Sequence, residues 1–197
     1  MIQVDGTTYN AERDGIIPIV SGTYPAHVSG LEVKDITTRA GEQKQVFNTT
    51  FLIDDSVEKM NVFKLVKNGD GVLSPAKNDD GSNVEISAVF MKGKRFNSVG
   101  LWLTPEPSDD KRWQNRKYVE FFESLGIEFP KNKAGDSELA IIEEEDVIGK
   151  PCFIRLNKET YEKDGETRHS WKTFEVFPWQ DGVTLSEDEV STGDVPF

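Results

Sequence analysis

The stretch Lys150-Pro-Cys-Phe-Ile-Arg-Leu-Asn-Lys-Glu-Thr-Tyr-Glu-Lys-Asp-Gly-Glu-Thr-Arg-His-Ser-Trp-Lys-Thr-Phe-Glu-Val-Phe177 decides the fold of this chain. It holds two β-prone segments, 150–161 and 167–177, on either side of the turn sequence Lys163-Asp-Gly-Glu166. Two such segments around a short turn containing Asp-Gly are typical of a β-hairpin. We predict that this hairpin closes the folded body.

The chain before this hairpin contains further strand-like segments. In the first, apolar and polar residues alternate after Gly22, which predicts a half-buried strand, and Pro25 places part of it at an edge or a bulge. In the second, Phe47, Thr49 and Phe51 share one face. The remaining predictions are a strand over 57–66 and a hairpin of 84–90 with 95–103, whose turn 91–94 uses Gly93 for a positive φ.

One segment has the pattern of a helix, from Asp109 to Leu125. Ser108 is a suitable N-cap and Gly126 suits the position after the last turn. The apolar residues of this segment recur at i, i+3, i+4 and i+7, which predicts one buried stripe; they are Tyr118, Phe121, Phe122 and Leu125. A second, short helix is predicted within 137–148.

Five to seven strands in hairpins with one inserted helix indicate a mainly β fold. An OB-fold-like Greek-key barrel fits this pattern best, and a β-sandwich is the alternative. The predicted organisation is an N-terminal extension over 1–15, one OB-like domain over 16–180 and a disordered acidic tail over 181–197.

The last segment carries several acids and no Lys or Arg, and it stops on an apolar tip. Such a segment has little to bury, so we expect it not to fold on the body. An acidic tether that ends in a ring and a carboxylate suits capture by a partner with a pocket and a cation. A solvated tail is the alternative. The predicted partner-binding residues are Glu187, Asp188, Glu189, Asp194, Val195, Pro196 and Phe197.

This ending resembles the C-terminal tip of bacterial and bacteriophage single-stranded-DNA-binding proteins, which close an acidic tail with Asp-Ile-Pro-Phe or a near variant. The match covers Asp194 to Phe197 and the acidic run 187–189, and it departs where residues 191–193 interrupt the acids. The resemblance implies a phage-encoded protein that protects single strands in DNA replication or recombination. It also implies that the tail recruits a polymerase, helicase or nuclease.

Charge and cysteine content bound the function further. The formal net charge is −12; the tail from residue 181 holds five acids, which leaves 30 acids and 23 cations, or −7, for the body. This charge disfavours nucleic-acid binding unless cations gather on one face. The single cysteine, Cys152, excludes an intramolecular disulfide and favours a reducing compartment. No apolar signal or membrane-spanning run is present, so we expect a cytoplasmic protein, in the host cytoplasm if phage-encoded, with no membrane partner.

Catalysis finds little support in the sequence. His27 and His169 are far apart, and Cys152 lies in an apolar run that indicates a buried thiol. No phosphate-binding Gly-Lys-Ser/Thr loop occurs. The acids 54–55 and 143–146 are the candidates for Mg²⁺, although acid runs are usually solvated surface. We expect no enzyme activity, no cofactor and no resident metal.

A sequence-tolerant single-strand binder needs cations for phosphates beside rings for bases. Three segments interleave them: the hairpin around Gly93, the helix, and the closing hairpin, where Trp171 is the preferred stacking residue. The alternative for each ring is a place in the core. The predicted ssDNA-binding residues are Lys92, Lys94, Arg95, Phe96, Trp102, Lys111, Arg112, Arg116, Arg155, Lys158, Tyr161, Arg168, Trp171 and Lys172.

These observations favour a sequence-tolerant single-stranded-DNA-binding protein. An acidic interaction protein that mimics DNA and inhibits a host nucleic-acid enzyme is the second hypothesis, and a metal-dependent nuclease is the third. An edge strand that pairs two copies would make a homo-oligomer.

Overall fold

The computed structural model describes residues 19–67, 73–105, 115–163 and 166–180. The predicted extension 1–15 and tail 181–197 lie outside these ranges. The strands are β1 (Gly22–Thr37), β2 (Gln43–Ile53), β3 (Asn61–Phe63), β4 (Leu65–Lys67), β5 (Leu73–Pro75), β6 (Glu85–Ser87), β7 (Arg95–Ser98), β8 (Leu101–Leu103), β9 (Pro151–Lys163) and β10 (Glu166–Pro178). The helices are α1 (Arg116–Ser124) and α2 (Glu144–Val147), with 3-10 turns at Asp55–Lys59 and Ala88–Met91.

Five strands close into a ring. β1 pairs antiparallel with β2 on one side and with β9 on the other, and β9 pairs antiparallel with β10. β10 then pairs parallel with β7, and β7 pairs antiparallel with β2, which completes the ring; β8 adds to β2. The prediction of a mainly β, barrel-like fold is confirmed, since each of these five strands pairs with a strand on both of its sides.

Alternation along the strands sets the inside and outside of the barrel. Phe47, Thr49 and Phe51 of β2 are all fully buried, which confirms their predicted common face. A register shift in β1 between Val28 and Gly30 interrupts the pairing with β2. Bulges of this kind bend and twist a strand, which helps a short sheet to close on itself.

Helix α1 covers the core with the predicted stripe. The ring of Tyr118 meets Phe47 at 4.9 Å and Phe122 at 4.8 Å, both edge to face. The Tyr118 hydroxyl donates to the Ala140 carbonyl at 2.8 Å and accepts from the Ile142 amide at 3.2 Å. Burial raises the pKa of Tyr118 to about 12. Gly126 ends the helix with φ 73°, as predicted.

The predicted hairpin of 84–90 with 95–103 is wrong. β6 pairs with β3, whereas β7 pairs with β2 and β10, so the two segments belong to different sheets. Between them Ala88–Met91 forms a 3-10 turn, and Gly93 takes the predicted positive φ of 70°. A local turn signal was correct here, but the partners of the strands beside it were not.

Two other predictions need correction, and one lies partly outside the described residues. The strand predicted over 57–66 is a 3-10 turn followed by β3 and β4. The short helix predicted within 137–148 occupies only α2. The described part of the long helix begins at Arg116, and its predicted N-cap, Ser108, lies outside the described residues. Asn115 precedes α1 and ties it to β8: its amide donates to the Thr104 carbonyl and accepts from the Thr104 amide, both at 2.8 Å.

Candidate functional site

The closing hairpin of β9 and β10, confirmed as predicted, has a different character on each side. On β9, Cys152, Ile154 and Leu156 belong to the buried core. Residues between them face outward because side chains alternate along a strand. On β10, Trp171 packs against the core, so its neighbour Lys172 faces outward with the outer residues of β9.

A polar row crosses the outer wall of the barrel. Its five residues pair in register across five strands: Gly30 with Thr50, Thr50 with Asn97, Asn97 with Lys172, and Lys172 with Asn157. The Thr50 hydroxyl donates to the Asn97 amide oxygen at 3.1 Å. The row contains one cation and no carboxylate. Amide, hydroxyl and ammonium groups of this kind are common partners of phosphate and sugar oxygens.

A second cation and a ring lie near the polar row. Arg95 is exposed and is two residues before Asn97 on β7, so both face outward. Trp102 of β8 is 49% exposed and pairs with Val46 of β2, whose other neighbour is Lys34. Of the predicted residues, the structure therefore brings Arg95, Trp102 and Lys172 to one outer wall.

Gly100 makes room on this wall beside Trp102. A Cβ atom at Gly100 would lie 2.9 Å from the Val46 Cγ1 and 3.2 Å from the Asn48 Oδ1. The first distance is too short for any real contact, so the position requires glycine unless the neighbouring strand moves. The absence of a side chain here keeps the wall flat between β8 and β2.

Two more predicted residues occupy the outer face of β9. Arg155 forms an ion pair with Glu175 of β10, and its guanidinium lies 5.4 Å from the centre of the Phe177 ring. Tyr161 is 45% exposed near the far end of the hairpin and pairs with Arg168. The side chain of Arg168 lies outside what the structure describes.

The structure places several predicted ssDNA-binding residues away from the polar row. Phe96 belongs to the buried core and has no surface for a base. Trp171, the preferred stacking residue, packs against the core and is partly buried. Lys158 pairs with Trp171, so it is on the opposite face of the hairpin from Lys172. A strand alternates its sides, and sequence neighbours such as Trp171 and Lys172 therefore separate.

The cations of the turn and of the helix are also apart from the outer wall. Lys92 bonds the carboxylates of Glu58 at 2.7 Å and Asp55 at 3.1 Å, and these bonds raise its pKa. Arg116 bonds Glu120 one helical turn away, which raises its pKa. Lys94 follows the turn in the chain and is half-buried, and its backbone carbonyl accepts a hydrogen bond from the Ile53 amide at 2.9 Å.

Some predicted residues lie outside the described ranges altogether. These are Lys111 and Arg112 and the tail residues Glu187, Asp188, Glu189, Asp194, Val195, Pro196 and Phe197. Their roles stay predictions.

The sequence reasoning missed Thr50, Asn97 and Asn157. Each is an ordinary polar residue in a strand, and only the register between strands shows that they form a row with Lys172. It also missed Trp179, whose ring stacks on Phe153 with 5.1 Å between centroids. An available signal was the pattern of Phe153, Arg155 and Asn157 at every second position of a predicted strand.

Groups with catalytic potential are few in the described part of the chain. No cluster of three or more His, Cys, Asp or Glu residues that could hold a metal ion occurs there. Burial raises the pKa of the Cys152 thiol to about 12, as expected for an inert core cysteine. Asp54 lies 3.8 Å from His27; burial acts to raise the Asp54 pKa, but hydrogen bonds from Ser56 and the nearby His27 lower it overall.

The comparisons with known proteins add no family to this geometry. No protein-family model matches the chain, and a search of curated proteins finds no match. Among the helices that the structure describes, none has the length and apolarity needed to cross a membrane.

Proposed function

We propose that the chain is a sequence-tolerant single-stranded-DNA-binding protein without enzyme activity, and that the strand crosses the outer wall over the polar row. The observation that carries this proposal is the row itself. Five strands align Gly30, Thr50, Asn97, Lys172 and Asn157 without a carboxylate among them, in a molecule with a net charge of −12. OB folds bind oligonucleotides on the corresponding kind of sheet face.

The charges on the wall support the same function. Arg95 adjoins the row, and no ion pair engages it among the described residues. The carboxylates nearest the row on β1 are Glu32, which lies two residues along the same face and pairs with Lys34 at 2.8 Å, and Glu144 of α2, which accepts the Leu31 amide at 3.4 Å. Phosphates that cross the row at β7 and β10 would lie beside Arg95 and Lys172, which favours binding through counterion release.

Exposed rings supply the second requirement of a single-strand binder. Trp102 and Tyr161 are 49% and 45% exposed at separate places on the outer side of the barrel. A base that stacks on such a ring gains about 1–3 kcal/mol whatever its sequence. The tail resemblance extends the proposal to a phage-encoded protein that protects strands in replication or recombination and recruits a polymerase, helicase or nuclease.

The test is a titration of a fluorescent oligo-dT with the full chain across a salt series, with and without Mg²⁺. The double variant R95Q/K172Q should bind more weakly, and its slope of log K against log salt should shrink by about 1.4, for two phosphates at about 0.7 each. Lys92→Gln is the matched control, because its ammonium is tied to Asp55 and Glu58 on a turn.

Each hypothesis has its own outcome in this experiment. Binding that weakens with salt and leaves the probe intact supports the proposal. No binding supports the acidic interaction protein, and cleavage that requires Mg²⁺ supports the nuclease. Equal loss in Lys92→Gln and R95Q/K172Q would place the strand elsewhere on the molecule.

A further inference from the structure

A small aromatic cluster lies outside the core, on the outer face of the closing hairpin. Phe153 is only 3% exposed, yet it does not belong to the core cluster that holds its neighbours Cys152 and Ile154. Trp179, one residue beyond β10, covers it: the two rings lie 5.1 Å apart with 11° between their planes. Phe177 pairs with Phe153 across the hairpin.

The geometry of this cluster differs from that of the rings inside the barrel. The close pairs inside meet edge to face, as aromatic rings usually do in a packed core. The outer pair is nearly parallel, so Phe153 covers one face of the Trp179 indole. Trp179 keeps part of its surface exposed.

A cation accompanies the rings. Arg155 is two residues along β9 from Phe153, so it shares the outer face; it lies over Phe177 and pairs with Glu175. Asn157, the end of the polar row, is two residues further on. At about 3.3 Å per residue, the ring cluster lies about 13 Å from the row along the same strand.

We propose that Trp179 and Arg155 form a second nucleotide-binding position, at which a base of the single strand stacks on Trp179 and its phosphate replaces Glu175 on Arg155. This inference rests on the proposed function and extends it from the polar row to the base of the closing hairpin. Arg155 suits this exchange because a guanidinium donates hydrogen bonds to phosphate oxygens in the same fork geometry as to a carboxylate.

Glu175 sets the strength of this position. Its carboxylate holds the Arg155 guanidinium, so it lowers the affinity for nucleic acid while no strand is bound. The occupant is a nucleotide rather than an apolar peptide, because the ring and the cation lie together on a strand that continues into the polar row.

The test uses the full chain with two oligo-dT probes, of about 5 and about 16 nucleotides, near the ends of the range of site sizes for one OB fold. Trp179→Leu keeps an apolar cover over Phe153 but removes the extended ring, and Trp179→Phe keeps both. On the long probe, Trp179→Leu should bind about 5-fold or more weakly than Trp179→Phe, the equivalent of about 1 kcal/mol of stacking. The short probe, held by the polar row, should show no difference.

Two further measurements separate binding from a structural role. The difference between Trp179→Leu and Trp179→Phe should vanish on a long probe whose nucleotides lack bases. Glu175→Gln should bind the long probe more tightly than the wild type. A 16-nucleotide probe that binds Trp179→Leu and Trp179→Phe equally would overturn this inference and leave the proposed function intact. Failure of the wild type to bind either probe would overturn both.

Discussion

The inner and outer walls of the barrel use the same residue types in opposite ways. Inside, Phe47, Tyr118 and Phe122 meet edge to face and are fully buried. Outside, Trp179 lies flat on Phe153 and keeps part of its surface, and Trp102 is half exposed. The comparison teaches that ring geometry and exposure, rather than the count of rings or of neighbouring cations, distinguish the rings that fill the core from those that keep surface on the outside.

The largest expected effect lies on the inner wall. Phe47→Ala should lower the free energy of unfolding by about 3–5 kcal/mol, because it removes a fully buried ring from the contacts with Tyr118 and Phe122. Urea unfolding followed by circular dichroism measures the change. A loss below about 1 kcal/mol would show that the inner rings are not the stabilising set.

The second largest expected effect tests how closely β8 packs against β2 on the outer wall. Gly100→Ala should lower the free energy of unfolding by about 1–3 kcal/mol, because the new methyl meets the Val46 side chain at 2.9 Å. Gly22→Ala is the matched control for added chain stiffness, because it has no positive φ and the atom nearest its new methyl is 3.6 Å away. Full stability of Gly100→Ala would mean that β2 and β8 separate easily.

Alkaline pH should lower the free energy of unfolding through a buried thiol on the inner wall. The folded-state pKa of Cys152 is raised to about 12 from an ordinary value of 9.0, so the unfolded chain loses this proton first. The thiol's contribution is complete below about pH 9, and it is lost as pH rises toward 12, at no more than about 1.4 kcal/mol per pH unit. Urea titrations between pH 8 and pH 10.5 should therefore show a shallower decline for Cys152→Ala than for the wild type. Equal declines would contradict the burial of the thiol.

The smallest effect on stability belongs to Trp102. Trp102→Ala should change the free energy of unfolding by about 0.5 kcal/mol or less, because the ring is 49% exposed. Its affinity for oligo-dT should nevertheless fall by about 1–3 kcal/mol, if one base stacks there. A large loss of stability with unchanged affinity would show that Trp102 stabilises the fold and does not contact the DNA.

Local pattern predicted much of the inner wall. Period two in β2 identified the buried face of Phe47, Thr49 and Phe51, and period 3.6 identified the buried stripe of α1. The Asp-Gly turn predicted the pairing of β9 with β10. These features depend on residues that are close in sequence, where side-chain direction follows from the backbone alone.

The outer wall was much less predictable, because it depends on register between distant strands. The parallel pairing of β7 with β10 aligns Asn97 with Lys172, 75 positions later, and nothing in either segment indicates this. The prediction of DNA-binding cations rests instead on their proximity in sequence to aromatic residues. That criterion fails in a strand, where Trp171 and Lys172 face opposite sides.

Closure of the barrel has a consequence for synthesis of the chain on the ribosome. β1 acquires its neighbour β9 only after Leu156 has been made, and β7 acquires its neighbour β10 only after Thr173. At about 5–20 residues per second, the 103 residues from Ile53 to Leu156 take about 5–21 s to add. Throughout that interval the outer edge of β1 in the nascent β1–β2 hairpin has unpaired backbone N–H and C=O groups. Such an edge is a binding site for chaperones and a starting point for aggregation when the protein is expressed at high concentration.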